Sequence, residues 1–199
     1  MKTLITVLLA ALLATGCVSG REHASKTYDF GIILAPAGAS ADSVFVAEVR
    51  AADWLDTTEM FYRLAYRDSR ALASYANSRW AGTPAAMLTV RLRQSVGNGS
   101  AVRIPQVKCV LGLSLAEFSQ VFASANTSRA VLHAQATLVE NAPGGRNMSR
   151  EFRLERLTPT ADAAGGAAAF SEISAALAEE LRTWIADAGF CKARMKDEG

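Results

Sequence analysis

The first sixteen residues constrain this chain more than any other stretch. Lys2 supplies a positive charge, Ile5 to Leu13 form a short apolar run broken only by Thr6, and small residues follow. That is the layout of an export signal, too short to cross a bilayer as a stable helix. Residues 1–16 are read as a signal peptide, with cleavage between Gly16 and Cys17. Removing 16 of the 199 residues leaves 183, enough for one domain with a core of its own. The domain must then fold in an oxidising compartment. Half of the residues are apolar and a fifth are charged, a globular composition.

Cys17 sharpens the reading. In Leu13-Ala14-Thr15-Gly16-Cys17 the cysteine directly follows the small residues, the order of a bacterial lipobox. Cys17 is therefore expected to carry covalent diacylglycerol and acyl lipid such as palmitate; the alternative is an ordinary signal peptide followed by a chance cysteine. One acyl chain binds a bilayer only marginally, at about 0.8 kcal/mol per buried methylene, whereas two or three make a firm anchor. Val18 stands where an Asp would signal retention at the inner membrane, so the expected location is the periplasmic face of the outer membrane.

The mature chain balances 20 basic against 19 acidic residues once Lys2, one of 21, is removed. With no Lys/Arg block either, no nucleic-acid partner is expected. No later stretch of about 18 apolar residues could span a membrane. Cys109 and Cys191 are left over, and they form either a disulfide or two buried thiols.

Residues 17–26 read as a lipidated tether, 27–191 as a single domain and 192–199 as a charged tail. Within the domain, Thr27–Ile32, Val44–Val49 and Met60–Tyr66 read as strands, and Ala71–Tyr75 as a hairpin return. Thr83-Pro84 opens a helix: Thr caps free N–H groups and Pro fills the first helical position. Gly97-Asn98-Gly99 ends it. Strands follow from Cys109, with a slip in the alternation before Phe118, then over Ala130–Val139 and Met148–Leu154. Ala161–Ala169 reads as an Ala/Gly linker. Phe170, Ile173, Leu177, Leu181, Trp184 and Ile185 mark a long amphipathic helix stopped by Gly189. The order strands, helix, strands, helix predicts an α+β two-layer domain: a mostly antiparallel sheet with two main helices on one face. Trp80 and Trp184 are expected in the core.

In order and spacing, Cys17, Tyr28-Asp29-Phe30, Trp54-Leu55-Asp56, Ser78-Arg79-Trp80-Ala81 with Thr83-Pro84, Leu113 to Phe118 and Leu181 to Ile185 resemble the ABC-type transport auxiliary lipoproteins, the family of paraquat-inducible protein C. The resemblance covers the mature chain. It implies a non-catalytic adaptor at the outer-membrane end of an envelope lipid transport system. The implied partners are an MCE-domain periplasmic protein and ABC-type or integral inner-membrane transporter components, with a homo-oligomer left open. The alternative is a structural or assembly lipoprotein, such as a lipopolysaccharide-export accessory.

No cofactor beyond the lipid and no metal is expected. The sequence lacks a P-loop and a Gly-x-Ser-x-Gly elbow, and His23 and His133 are far apart. An adaptor works through surfaces. The Asp53-Trp54-Leu55 loop and the Met60-Phe61-Tyr62 strand are the candidate partner surfaces, represented by Trp54, Leu55 and Tyr62; for both, the alternative is burial in the core.

Overall fold

The computed structural model describes residues 25–32, 43–97 and 107–191. Gly16, Cys17, His23, most of the tether, the tail, and Asn98 and Gly99 lie outside them. In chain order the elements are β1 (Lys26–Tyr28), β2 (Val44–Val46), β3 (Arg50–Ala51), a 3₁₀ turn (Asp53–Leu55), β4 (Glu59–Leu64), the one-turn helix α1 (Ala65–Asp68) and β5 (Ala73–Trp80). Then come α2 (Pro84–Ser95), β6 (Cys109–Ser124), β7 (Thr127–Glu140), β8 (Asn147–Leu157) and α3 (Ala163–Ala188). The architecture is α+β, an open sheet with its two long helices on one face.

The sheet runs β1-β5-β4-β6-β7-β8, and β2 and β3 join the same long strand, β6. The long ladders, β6 with β7 and β7 with β8, are antiparallel. The short strands β2, β3 and β4 all lie parallel to β6, at Cys109–Leu111, Ser114–Leu115 and Gln120–Phe122 respectively. β6 thus serves as a spine on which the N-terminal half is laid piece by piece.

Three expected elements take different forms. The first strand stops at Tyr28, because Asp29 Oδ1 accepts a hydrogen bond from Gly31 N–H (2.8 Å) and Gly31 turns at φ 72°. The Val44–Val49 strand is divided. Ala47 N–H still reaches β6, but Val49 N–H is donated to Thr89 Oγ1 of α2 (2.9 Å). The Ala161–Ala169 stretch is helix, not linker: α3 starts at Ala163, capped by Asp162, whose Oδ1 accepts from Gly165 N–H (2.8 Å). Gly166 gives close approach to the sheet, since a Cβ there would collide with Gln120 Oε1 of β6.

Where α3 crosses the sheet, an aromatic cluster forms. Phe118 of β6 stacks on Phe170 of α3 with centroids 3.8 Å apart. Trp80 meets both rings edge-on at 5.7 Å, and Phe30 closes the group against Trp80. A register irregularity between Leu115 and Glu117 lets Leu115 and Phe118 both point inward, the physical form of the slip seen in the sequence. Trp80 and Trp184 are both buried. Cys109, at the start of β6, is disulfide-bonded to Cys191, just past α3, with Cα atoms 5.5 Å apart.

The cap at Asp162 gives a first prediction. Hydrogen bonds from Gly165 N–H and Thr160 hold its carboxyl below the usual 3.8. A depressed folded value means that the cap's contribution is complete above that usual value and is lost as pH falls through the lower one. Asp162→Ala should cost about 1 kcal/mol at neutral pH. The deficit should shrink in acid denaturation below about pH 4. A pH-independent deficit would mean that the carboxylate charge contributes nothing.

Candidate functional site

Strand alternation divides β4 between two environments. Tyr62 turns toward the helices, where its ring lies 4.8 Å from Tyr75 and 5.9 Å from Phe122. Tyr75 donates to Gln120 Oε1 (3.0 Å), Gln120 Nε2 donates to Ser128 Oγ (2.8 Å), and Ser128 meets Thr158 (2.6 Å). Burial, with Asp162 and Tyr62 nearby, pushes the Tyr75 hydroxyl well above its usual value of 10, so it stays a neutral donor. This is an internal polar network, satisfied along its length, and Tyr62 borders it.

Phe61 and Arg63, the alternate residues, point to the other face of the sheet. There the 3₁₀ turn sets Trp54 against Phe61, with ring centroids 5.8 Å apart. The Arg63 guanidinium lies 5.9 Å from the Trp54 centroid and bonds Glu117 Oε2 at 3.0 Å. Both partners of that ion pair are four-fifths buried, so it is better shielded than a surface pair. Trp54 itself stays 38% exposed. A large ring held by an aromatic neighbour and a tethered cation, yet open to solvent, is the make-up of a binding anchor.

Of the three residues expected on a partner surface, Trp54 alone has this placement. Leu55 is a correction: it is fully buried, because successive side chains of a 3₁₀ turn point about 120° apart and Leu55 takes the inward direction. Tyr62 is half-buried and separated from Trp54 by the sheet. Arg63 and Glu117 did not stand out in the sequence. They lie 54 residues apart, and the only signal was the slip in alternation that turns Glu117 toward Arg63.

Two open clefts, of about 420 and 360 Å³, flank β1 where α3 begins; Tyr28 and Ala164 line both. Neither reaches Trp54. Arg91 of α2 and Ser171 of α3 both donate to the Phe30 carbonyl, at 2.5 and 2.7 Å, fastening the turn after β1 between the long helices. Among the described residues no three His, Cys, Asp or Glu side chains gather as metal ligands, and no helix is long and apolar enough to cross a membrane.

Residues 34–182 match the family model of the ABC-type transport auxiliary lipoprotein component. The crystal structure of a Xanthomonas campestris protein assigned to the DUF330 family is similar. It is 20% identical, superposes with a TM-score of 0.66, and the match covers 82% of this chain and 96% of that one. A second crystal structure, of an uncharacterized protein, gives 14% identity and a TM-score of 0.63 over 81% of this chain and 99% of its own. At such identities the two structures speak for the fold. No curated protein matches the chain.

Proposed function

The chain belongs to the family of ABC-type transport auxiliary lipoprotein components, and from that premise we propose that it is a non-catalytic adaptor in an MCE-type envelope lipid transport system. In this reading Cys17 carries the lipid and holds the domain at the periplasmic face of the outer membrane. The domain docks an MCE-domain periplasmic protein, through which it serves the inner-membrane transporter components. The observation that carries the proposal is the exposed Trp54, held by Phe61 and the Arg63–Glu117 pair on the face away from the helices. The near balance of charge in the mature chain provides no long-range steering, so affinity must come from short-range contacts of this kind.

The test pairs folding with capture. Trp54→Ala should cost about 1 kcal/mol in unfolding, as for a partly exposed side chain. Recovery of the MCE-domain partner from membranes should weaken by roughly thirtyfold, the size of a 2 kcal/mol hot spot. Cys17→Ser should release the chain from the membrane fraction and stop incorporation of labelled palmitate. Undiminished capture by Trp54→Ala, or a soluble unlabelled wild type, would remove the corresponding half of the proposal. Capture of a lipopolysaccharide-export component in place of an MCE protein would favour the assembly reading.

A further inference from the structure

The two ends of the sheet differ. β1, at one end, is three residues long. β8, at the other, is eleven residues long and has neither Pro nor Gly. It pairs with β7 in unbroken register from Leu157 to Asn147, without a bulge, and among the described residues with no other strand. A long, regular edge is a template for a further strand, and proteins ordinarily blunt such edges with uncompensated charge, Pro or bulges. Charge is present here, but all of it except Arg156 is compensated among the described residues. Glu151 bonds Arg153 at 2.8 Å, Glu155 pairs with Arg129 of β7 at 2.9 Å, and Arg150 approaches Glu180 of α3 at 3.9 Å.

We propose that β8 is a self-pairing edge, at which a second copy of this chain adds its own β8 antiparallel across a two-fold axis, with Phe152 facing Phe152. The occupant follows from the order of charges along the strand. In this register Glu151 faces the second copy's Arg153 and Arg153 faces its Glu151. Ser149 faces Glu155, Asn147 faces Leu157, Arg150 faces Leu154 and Met148 faces Arg156. No like charges meet anywhere over Asn147–Leu157, and opposite charges meet at the two central pairs. The neighbouring symmetric registers fail. Centring on Glu151 opposes two glutamates; centring on Arg153 opposes arginine to arginine at three places and Glu151 to Glu155. Centring on Leu154 is free of clashes but pairs only residues 151–157. A slip by one residue would join the helix face of one copy to the water face of the other. The favoured register continues one sheet through both copies, with both α3 helices on the same side, as an isologous interface requires. It uses an edge of the sheet, whereas Trp54 lies on a face beside the interior strand β4, and it is independent of the adaptor reading.

Sedimentation of the lipidated mature chain in detergent tests it. The wild type should associate reversibly to a dimer. Glu151→Arg turns two attractive pairs into two repulsive ones and should weaken association by about tenfold or more. Glu151→Arg combined with Arg153→Glu should restore it, because the facing pairs are again opposite. Both side chains are about two-thirds exposed, so melting should change little in either variant. As a second readout, Ser149→Cys with Glu155→Cys should give a reducible dimer on non-reducing electrophoresis. A wild type that stays monomeric at every concentration, an assembly indifferent to Glu151→Arg, or a cross-link to a different protein would overturn the proposal.

Discussion

Cys191→Ser should lower the unfolding free energy by about 4.5 kcal/mol, the chain-entropy value for a loop of this length. The bridge joins residues 82 apart in sequence, so it removes a large set of open conformations from the unfolded chain. Its ends tie the first residue of the spine strand β6 to the segment just past the αL cap at Gly189. Without it, the last turn of α3 loses its covalent hold on the sheet and relies on packing alone. Both cysteines are nearly inaccessible, so the serine also places a hydroxyl in an apolar setting. Denaturant unfolding of the oxidised chain against the variant measures the loss, and melting should fall on the order of 10 °C. Two reactive thiols from Cys109 and Cys191 in the denatured, unreduced wild type would show that the bridge is not formed.

Trp80→Ala should cost on the order of 3–5 kcal/mol, at the upper end of that range. Trp80 is 2% exposed and meets Phe30, Phe118 and Phe170 edge-on or nearly so, joining the turn after β1, β5, β6 and α3 at one point. Its removal leaves a cavity walled by rigid rings that cannot collapse inward, and it forfeits aromatic contacts beyond the area lost. The comparison with Trp54→Ala is the informative one. The two tryptophans lie 26 residues apart in one chain, yet the first change should act on stability and the second on capture. A near-wild-type midpoint for Trp80→Ala would mean that the cluster repacks and that α3 is held elsewhere.

Periodicity alone determined much of this protein. The 3.6-residue spacing from Phe170 to Ile185 marks α3's inward face, and Thr83-Pro84 marks the start of α2, where Thr83 Oγ1 accepts from Ala86 N–H (3.3 Å). Alternation over β6, β7 and β8 marks a sheet, and the slip before Phe118 marks its bulge. These signals are local: each depends on which side of its own element a residue must hide. The motif ending in Cys17 is equally local, a run of residues read as one unit.

Other features were decided only when distant segments met. The Ala161–Ala169 stretch has the composition of a linker, yet it is the first turns of α3, capped by Asp162 and packed on the sheet where Gly166 lets it lie close over Gln120. The parallel seating of β2, β3 and β4 along one edge of β6 is not written in any of them, since strands this short carry no signal of partner or direction. Trp54 and Leu55 look alike in sequence, two large apolar residues between acids. A single tight turn sends one outward and the other into the core, and the Arg63–Glu117 pair that supports Trp54 spans 54 residues. Sequence by itself determined which faces are apolar and where elements begin. Tertiary structure decided which apolar residue remains in water, because that depends on what the rest of the chain leaves uncovered.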